Sequence, residues 1–120
     1  MAPNDPHCLF CKIVQGQIPS RQVYSDDSVF AFHDLHPAAP VHFLMVPKVH
    51  IPSFAQLVGE HVGLMGHMLT LAPKLALQEG CRPYPAGGFR IVGNTGGDGG
   101  QEVHHLHIHV MGGPRPWSRG

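Results

Sequence analysis

The sequence predicts a single α+β domain: a mostly antiparallel sheet with one long helix over one of its faces. Three observations lead there. The 120 residues suffice for one core and are short for two, so residues 1–120 form one domain. Short apolar runs come first, a helical period follows, and short runs return, which is the order of an α+β chain. Residues 105–109 read His-Leu-His-Ile-His and are followed by Val110-Met111, the alternation of a strand with two unlike faces.

Each element follows from local chemistry. Cys8 to Val14 reads as a short N-terminal helical turn closed by Gly16 and Pro19. Gln22–Ser25 and Val29–His33 read as short strands around the turn Ser25-Asp26-Asp27-Ser28. Pro37 and Pro40 break the pattern, and His42–Val46 is a dense apolar strand stopped by Pro47. From Ser53 to Glu79 the apolar residues Leu57, Val58, Val62, Met65, Leu69, Ala72, Leu75 and Ala76 fall near helical spacing. Ser53 is the expected N-cap, Gly80 the stop, and Pro73 an expected kink. Phe89–Val92 is a further strand, Asn94–Gly100 a glycine-rich loop, and Val103–Met111 the histidine strand. The tail, 112–120, is rich in glycine and proline and carries Trp117.

Composition narrows the function. Hydrophobic residues make up 42% and charged residues 13% of the chain, a globular balance. A net charge of zero argues against a nucleic-acid-coating surface. No apolar run is long enough to span a membrane, and Met1–Pro6 lacks the charged and apolar regions of a secretory leader, so a cytoplasmic location is expected. Eleven histidines are the anomaly.

In the histidine strand, His105, His107 and His109 share one face, about 7 Å apart from one to the next. Leu106, Ile108 and Val110 take the other face. Imidazole titrates near neutrality and serves as nucleophile, acid or base. A central His107 suits attack on an electrophilic phosphorus or carbon, with its neighbours orienting it. Ligation of zinc by alternate histidines is the rival reading, and spacing alone does not separate the two; the bland alternative is one buried strand whose histidines are satisfied.

Three further motifs bear on chemistry. Asn94-Thr95-Gly96-Gly97-Asp98-Gly99-Gly100-Gln101 precedes the histidines. Its glycines allow close backbone approach to an anion, but it matches neither the dinucleotide nor the P-loop pattern. Cys8-x-x-Cys11 fits structural zinc or two buried thiols better than a redox pair, because no thioredoxin-like pattern surrounds it. Asp34, at a strand end before Pro37, is placed to grip a ribose diol, or simply to cap a turn. A serine hydrolase is a poor fit, since no serine lies near the histidine strand.

Together these residues resemble the histidine triad (HIT) family. His105–Met111 is similar to its signature, three histidines alternating with apolar residues. Phe10–Val14, Ile18–Ser20, Ala31–Pro37, Ala39–His42, Val46–Ile51, Gly99–His105 and Gly112–Gly113 resemble its other segments in order. The triad, the Gly-Gly-Gln run and the Trp117 tail resemble the Hint-like purine nucleoside phosphoramidase branch. The resemblance implies a five-stranded antiparallel sheet in a homodimer, and cleavage of purine nucleoside phosphoramidates through a nucleotidyl-histidine intermediate. It implies His107 as nucleophile and His109 as its phosphate-contacting neighbour. Asp34 and Leu35 would serve the nucleoside, and Asn94, Gly100, Gln101 and Glu102 the phosphate side. His42 would lie close to the triad, and Trp117 near the partner's site.

Zinc-carrying relatives use two cysteines and two histidines, which match Cys8, Cys11, His50 and His105. His105 would then be a ligand for a structural zinc while His107 stays free. Glu102, where some animal relatives carry serine, is expected to favour cationic leaving groups, and His104 to pack away from the triad. The alternatives carried are a nucleotide-binding or scaffold protein with little turnover, and a hydrolase with catalytic zinc at His107.

Overall fold

A computed structural model of the chain describes residues 5–113. Its sheet grows outward from the most apolar strand. That strand, β3 (Val41–Pro47), lies between β2 (Val29–His33) and β5 (Ile108–Gly112). Outside them run β1 (Gln22–Ser25), beside β2, and β4 (Phe89–Gly93), beside β5. All four pairings are antiparallel. The family's five-stranded α+β architecture is present.

The two faces of the sheet differ as the pleat requires. On one, Val29, Ala31, Phe43, Met45, Ile108 and Val110 meet the helix α2 (Val62–Gln78). The helix contributes Met68, Leu71, Ala72, Leu75 and Ala76, a spacing of three and four that makes one stripe. On the other face, Phe30, Phe32, Leu44 and Val46 pack against Phe10, Cys11 and Ile13 of α1 (Leu9–Val14). Phe10 meets Phe32 edge-on, with ring centroids 5.4 Å apart, a geometry aromatic quadrupoles favour.

Three expectations are corrected. Ser53 does cap, through Oγ to the N–H of Ala55, but it caps a 3₁₀ turn, Phe54–Gln56. A second turn, Gly59–His61, follows before α2 begins at Val62. The single helix from Ser53 to Glu79 is thus three pieces, and Val58, Val62 and Leu69 of the expected stripe are exposed. The histidine strand is also shorter: pairing with β3 and β4 ends at Ile108. Before it, Leu106 N–H donates to the Ile51 carbonyl and His105 N–H to Val103, so 103–107 is a folded lead-in. His104 is exposed on that lead-in and does not pack.

Glycine is required at 112, where β5 passes the buried Cys81: a Cβ there would collide with the sulfur. No described helix is long and apolar enough to cross a membrane.

Candidate active site and metal centre

The lead-in and β5 send the three triad histidines to different places. His105 is fully buried and its ring turns toward α1. His107 lies under Phe10, with ring centroids 5.0 Å apart and planes near perpendicular. His109 sits on β5 opposite Leu44, its ring centroid 5.2 Å from that of His107. The flat row of three is therefore a fan, because the backbone turns before the strand starts.

Hydrogen-bond partners fix the tautomers. His107 Nδ1 is 2.7 Å from the His105 carbonyl oxygen, so it donates, and Nε2 keeps its lone pair. His42 Nδ1 accepts from the Ala38 N–H at 3.0 Å, so a neutral His42 carries its proton on Nε2. That nitrogen lies 3.0 Å from His109 Nδ1 and 3.5 Å from Asp34 Oδ2. His109 then accepts on Nδ1 and carries its proton on Nε2. Burial lowers His42, against the pull of Asp34. Burial, then the neighbouring His107 and His42, push His109 down to about 4. Both rings are neutral at pH 7, as this chain of donors demands.

His107 and His109 line a cavity of about 290 Å³. Its apolar wall is Leu9, Phe10, Ile13, Phe32, Leu44 and Val103, and its polar rim includes Asp34, His36, Asn94, Gly100 and Glu102. Leu35 lies at the rim and is 82% exposed. No lysine or arginine lines it among the described residues. A cavity of about 310 Å³ beside Arg82 and Gly88 contains no histidine or carboxylate and lies apart from this chemistry.

Of the expected nucleotide residues, Asp34, Leu35, Asn94, Gly100 and Glu102 line the cavity. His42 stands behind it, on His109. Gln101 builds the loop: Oε1 accepts from Gly96 N–H, and Nε2 donates to the carbonyls of Pro52 and Val103. Gly100, at φ +77°, closes the loop's turn. Asp34 Oδ1 accepts from His36 N–H, so it also caps the turn. Trp117 lies outside the described residues. Sequence reading missed the wall of Phe10, Ile13, Phe32 and Leu44. The signal was Phe10 between the two cysteines, the one large aromatic in that segment.

Cys8, Cys11, His50 and His105 converge, their ligand atoms all within 4.8 Å of one another. His105 Nδ1 is 3.3 Å from Cys8 Sγ, 3.5 Å from Cys11 Sγ and 3.3 Å from His50 Nδ1. A tetrahedral zinc with ordinary Zn–N and Zn–S bonds separates its ligands by about 3.3–3.8 Å, so the set fits. His105 Nε2 donates to the Pro47 carbonyl at 2.8 Å, leaving Nδ1 as the free lone pair. Burial holds His105 down at about 4 and pushes the Cys11 thiol up to about 11, groups that a cation would settle. His107 is not part of this cluster.

Comparison with known proteins decides the family. Residues 7–118 match the family model for the scavenger mRNA decapping enzyme C-terminal binding region. The chain is 46% identical over 108 residues to protein HitA of Neisseria gonorrhoeae, covering 90% of this chain and 97% of that protein.

The chain belongs to the HIT family.

It is 45% identical over 105 residues to the purine nucleoside phosphoramidase of Escherichia coli K12, covering 88% of this chain and 86% of that one. A histidine triad protein of Clostridium difficile superposes with a TM-score of 0.89 at 41% identity, covering 98% of this chain and 99% of the other. A HIT family hydrolase of Legionella pneumophila gives 0.85 at 42% identity, covering 91% and 95%. The HIT reading of the residues, and the α+β fold it implied, are thus borne out.

Proposed function

We propose that this HIT protein cleaves purine nucleoside 5′-phosphoramidates of the AMP–amine type through a covalent nucleotidyl-His107 intermediate. The observation that carries the reading is the His107 tautomer: Nδ1 is committed to the His105 carbonyl, so Nε2 is the available nucleophile beside the cavity. In the first step His107 Nε2 attacks phosphorus, the P–N bond to the amine breaks, and the departing nitrogen takes up a proton. Water then attacks the same phosphorus and gives a proton to solvent, the P–N bond to His107 breaks with its electron pair returning to Nε2, and the nucleoside monophosphate leaves. His109 Nε2–H serves as a neutral donor to the phosphoryl oxygens. Asp34 faces the ribose hydroxyls, and Leu35 with the apolar wall covers the base. Asn94 and Gly100 border the phosphate, and Glu102 the leaving group.

The Cys8–Cys11–His50–His105 set would hold a structural zinc. Bound there, the metal would tie α1 to the sheet, and His107 attacks without it. A homodimer fits the sheet edge: β4 pairs with β5 alone among the described strands, and its Phe89 and Ile91 are exposed. Light scattering at micromolar concentration checks that state, and a monomer would refute it.

Mass spectrometry of the protein mixed with adenosine 5′-phosphoramidate tests the chemistry. An AMP adduct on His107, lost in His107→Ala along with most turnover, is expected. Binding without adduct or turnover would make this a binding protein, and an adduct on another histidine would reassign the nucleophile.

A further inference from the structure

Every polar group of Asp5 is directed at the segment that carries the two cysteines or at their partner. Its N–H donates to Cys11 Sγ at 3.3 Å. Its carbonyl accepts from Cys8 N–H at 3.0 Å. Its Oδ1 accepts from His7 N–H at 2.8 Å, closing a local turn. Its Oδ2 lies 3.9 Å from His50 Nε2, a longer electrostatic contact and not a hydrogen bond. One residue thus reaches Cys8, Cys11 and His50, three of the four donors. The fourth, His105, is held by the Pro47 carbonyl.

The chemistry of those contacts is directional. His50 offers Nδ1 to the cluster, so its proton sits on Nε2, the nitrogen that Asp5 faces. A carboxylate behind the outer nitrogen of a ligating histidine fixes the ring and raises the basicity of the inner one. Each sulfur also receives one backbone N–H: Cys8 from Cys11, and Cys11 from Asp5. Such donors favour the thiolate that a metal needs. Cys11 and His105 are sealed from solvent. The cluster's open side is a cavity of about 340 Å³, lined by Asp5, His7, Cys8, His50 and His104 among others.

We infer that Asp5 is a positioning residue of the metal centre, with its N–H on Cys11 and its carboxylate charge facing His50, on the side from which the ion enters and leaves. This rests on the zinc reading above. The protein as purified, with its zinc, is challenged with a coloured zinc chelator, and the initial rate of release is followed. Asp5→Asn keeps the turn to His7 and all backbone contacts but removes the charge facing His50. It should release zinc about tenfold faster or more. Asp27→Asn, on the exposed β1–β2 turn, should match the parent. Asp5→Glu restores the charge at the expense of the turn and should recover most of the slow release. A residue that acted only through the turn would give the reverse order, slow in Asn and fast in Glu, and that order overturns the inference. So does an Asp5→Asn protein that releases zinc at the parent rate. A parent protein that holds no zinc defeats the metal reading itself, and this inference with it.

Discussion

His42 Nε2 stands 3.0 Å from His109 Nδ1, while its other nitrogen is held by the Ala38 N–H. One backbone amide thereby decides which nitrogen of His109 faces the cavity with a proton. His42→Ala leaves His109 free to take the other tautomer. The expected result is a kcat lower by a factor on the order of 10² with a much smaller change in KM, because general acid–base and donor geometry act in the transition state. Steady-state kinetics with an adenosine phosphoramidate check it. An unchanged kcat would remove His42 from the mechanism.

Asp34 gives Oδ1 to the His36 N–H and keeps lone pairs on both oxygens for a ligand. If these meet ribose hydroxyls, the 2′-deoxy substrate leaves a partner unmet, a cost of about 1–3 kcal/mol. Its kcat/KM should be lower by about five- to a hundredfold. Equal specificity constants for the two sugars would return Asp34 to a turn cap alone.

Phe10 joins the core, at 5% exposure, to the cavity wall. Phe10→Ala should cost about 3 kcal/mol of stability, the transfer of a ring plus the void it leaves. It should also weaken nucleotide binding, since Phe32 and His107 lose their edge-on neighbour. Urea unfolding and AMP titration of the same variant measure both. A stability change with no change in AMP affinity would separate the wall from the ligand.

His109 is held down at about 4 in the folded chain, first by burial, against an ordinary value of about 6.5 when unfolded. Between those two pH values the unfolded state binds the proton and the folded state does not. Stability from this ring is therefore full above pH 6.5 and declines as pH falls toward 4. His109→Gln removes that contribution. The difference in unfolding free energy between parent and variant should shrink across this window as the medium is acidified, and a difference independent of pH would contradict the assignment.

With zinc at the Cys8–Cys11–His50–His105 set as proposed, its removal should lower the melting temperature by about 5 °C or more, with a smaller effect on initial rate. Differential scanning with and without chelator, beside a rate measurement, decides between a structural ion and one that takes part in the reaction. A rate abolished at once would favour the latter.

Much of the scaffold was legible in the residues. β1 and β2 fall where their apolar runs end in turns; β3 is longer than expected by one residue at each end and β4 by one at its end, because Pro40, Pro47 and the glycine loop punctuate them. The histidine strand was not, since its start depends on where β3 and β4 stop offering partners and on one bond from Leu106 to Ile51, both remote in sequence. The long helix was overextended for a similar reason. Ser53 has the chemistry of a cap whichever kind of turn follows it. Phe10 between the two cysteines was the one signal of the cavity wall, but its place over His107 was not legible, as an aromatic on a short helix looks the same whether it fills a core or roofs a cavity.

α1 is six residues long, too short to persist as a helix by itself. Consecutive positions on it, Phe10 and Cys11, belong to the ligand cavity and to the cysteine–histidine cluster. The cavity therefore takes part of its wall from α1, whose packing on the sheet the cysteine–histidine cluster adjoins. A change in α1 thus edits the cavity and the cluster together, even with every triad histidine in place.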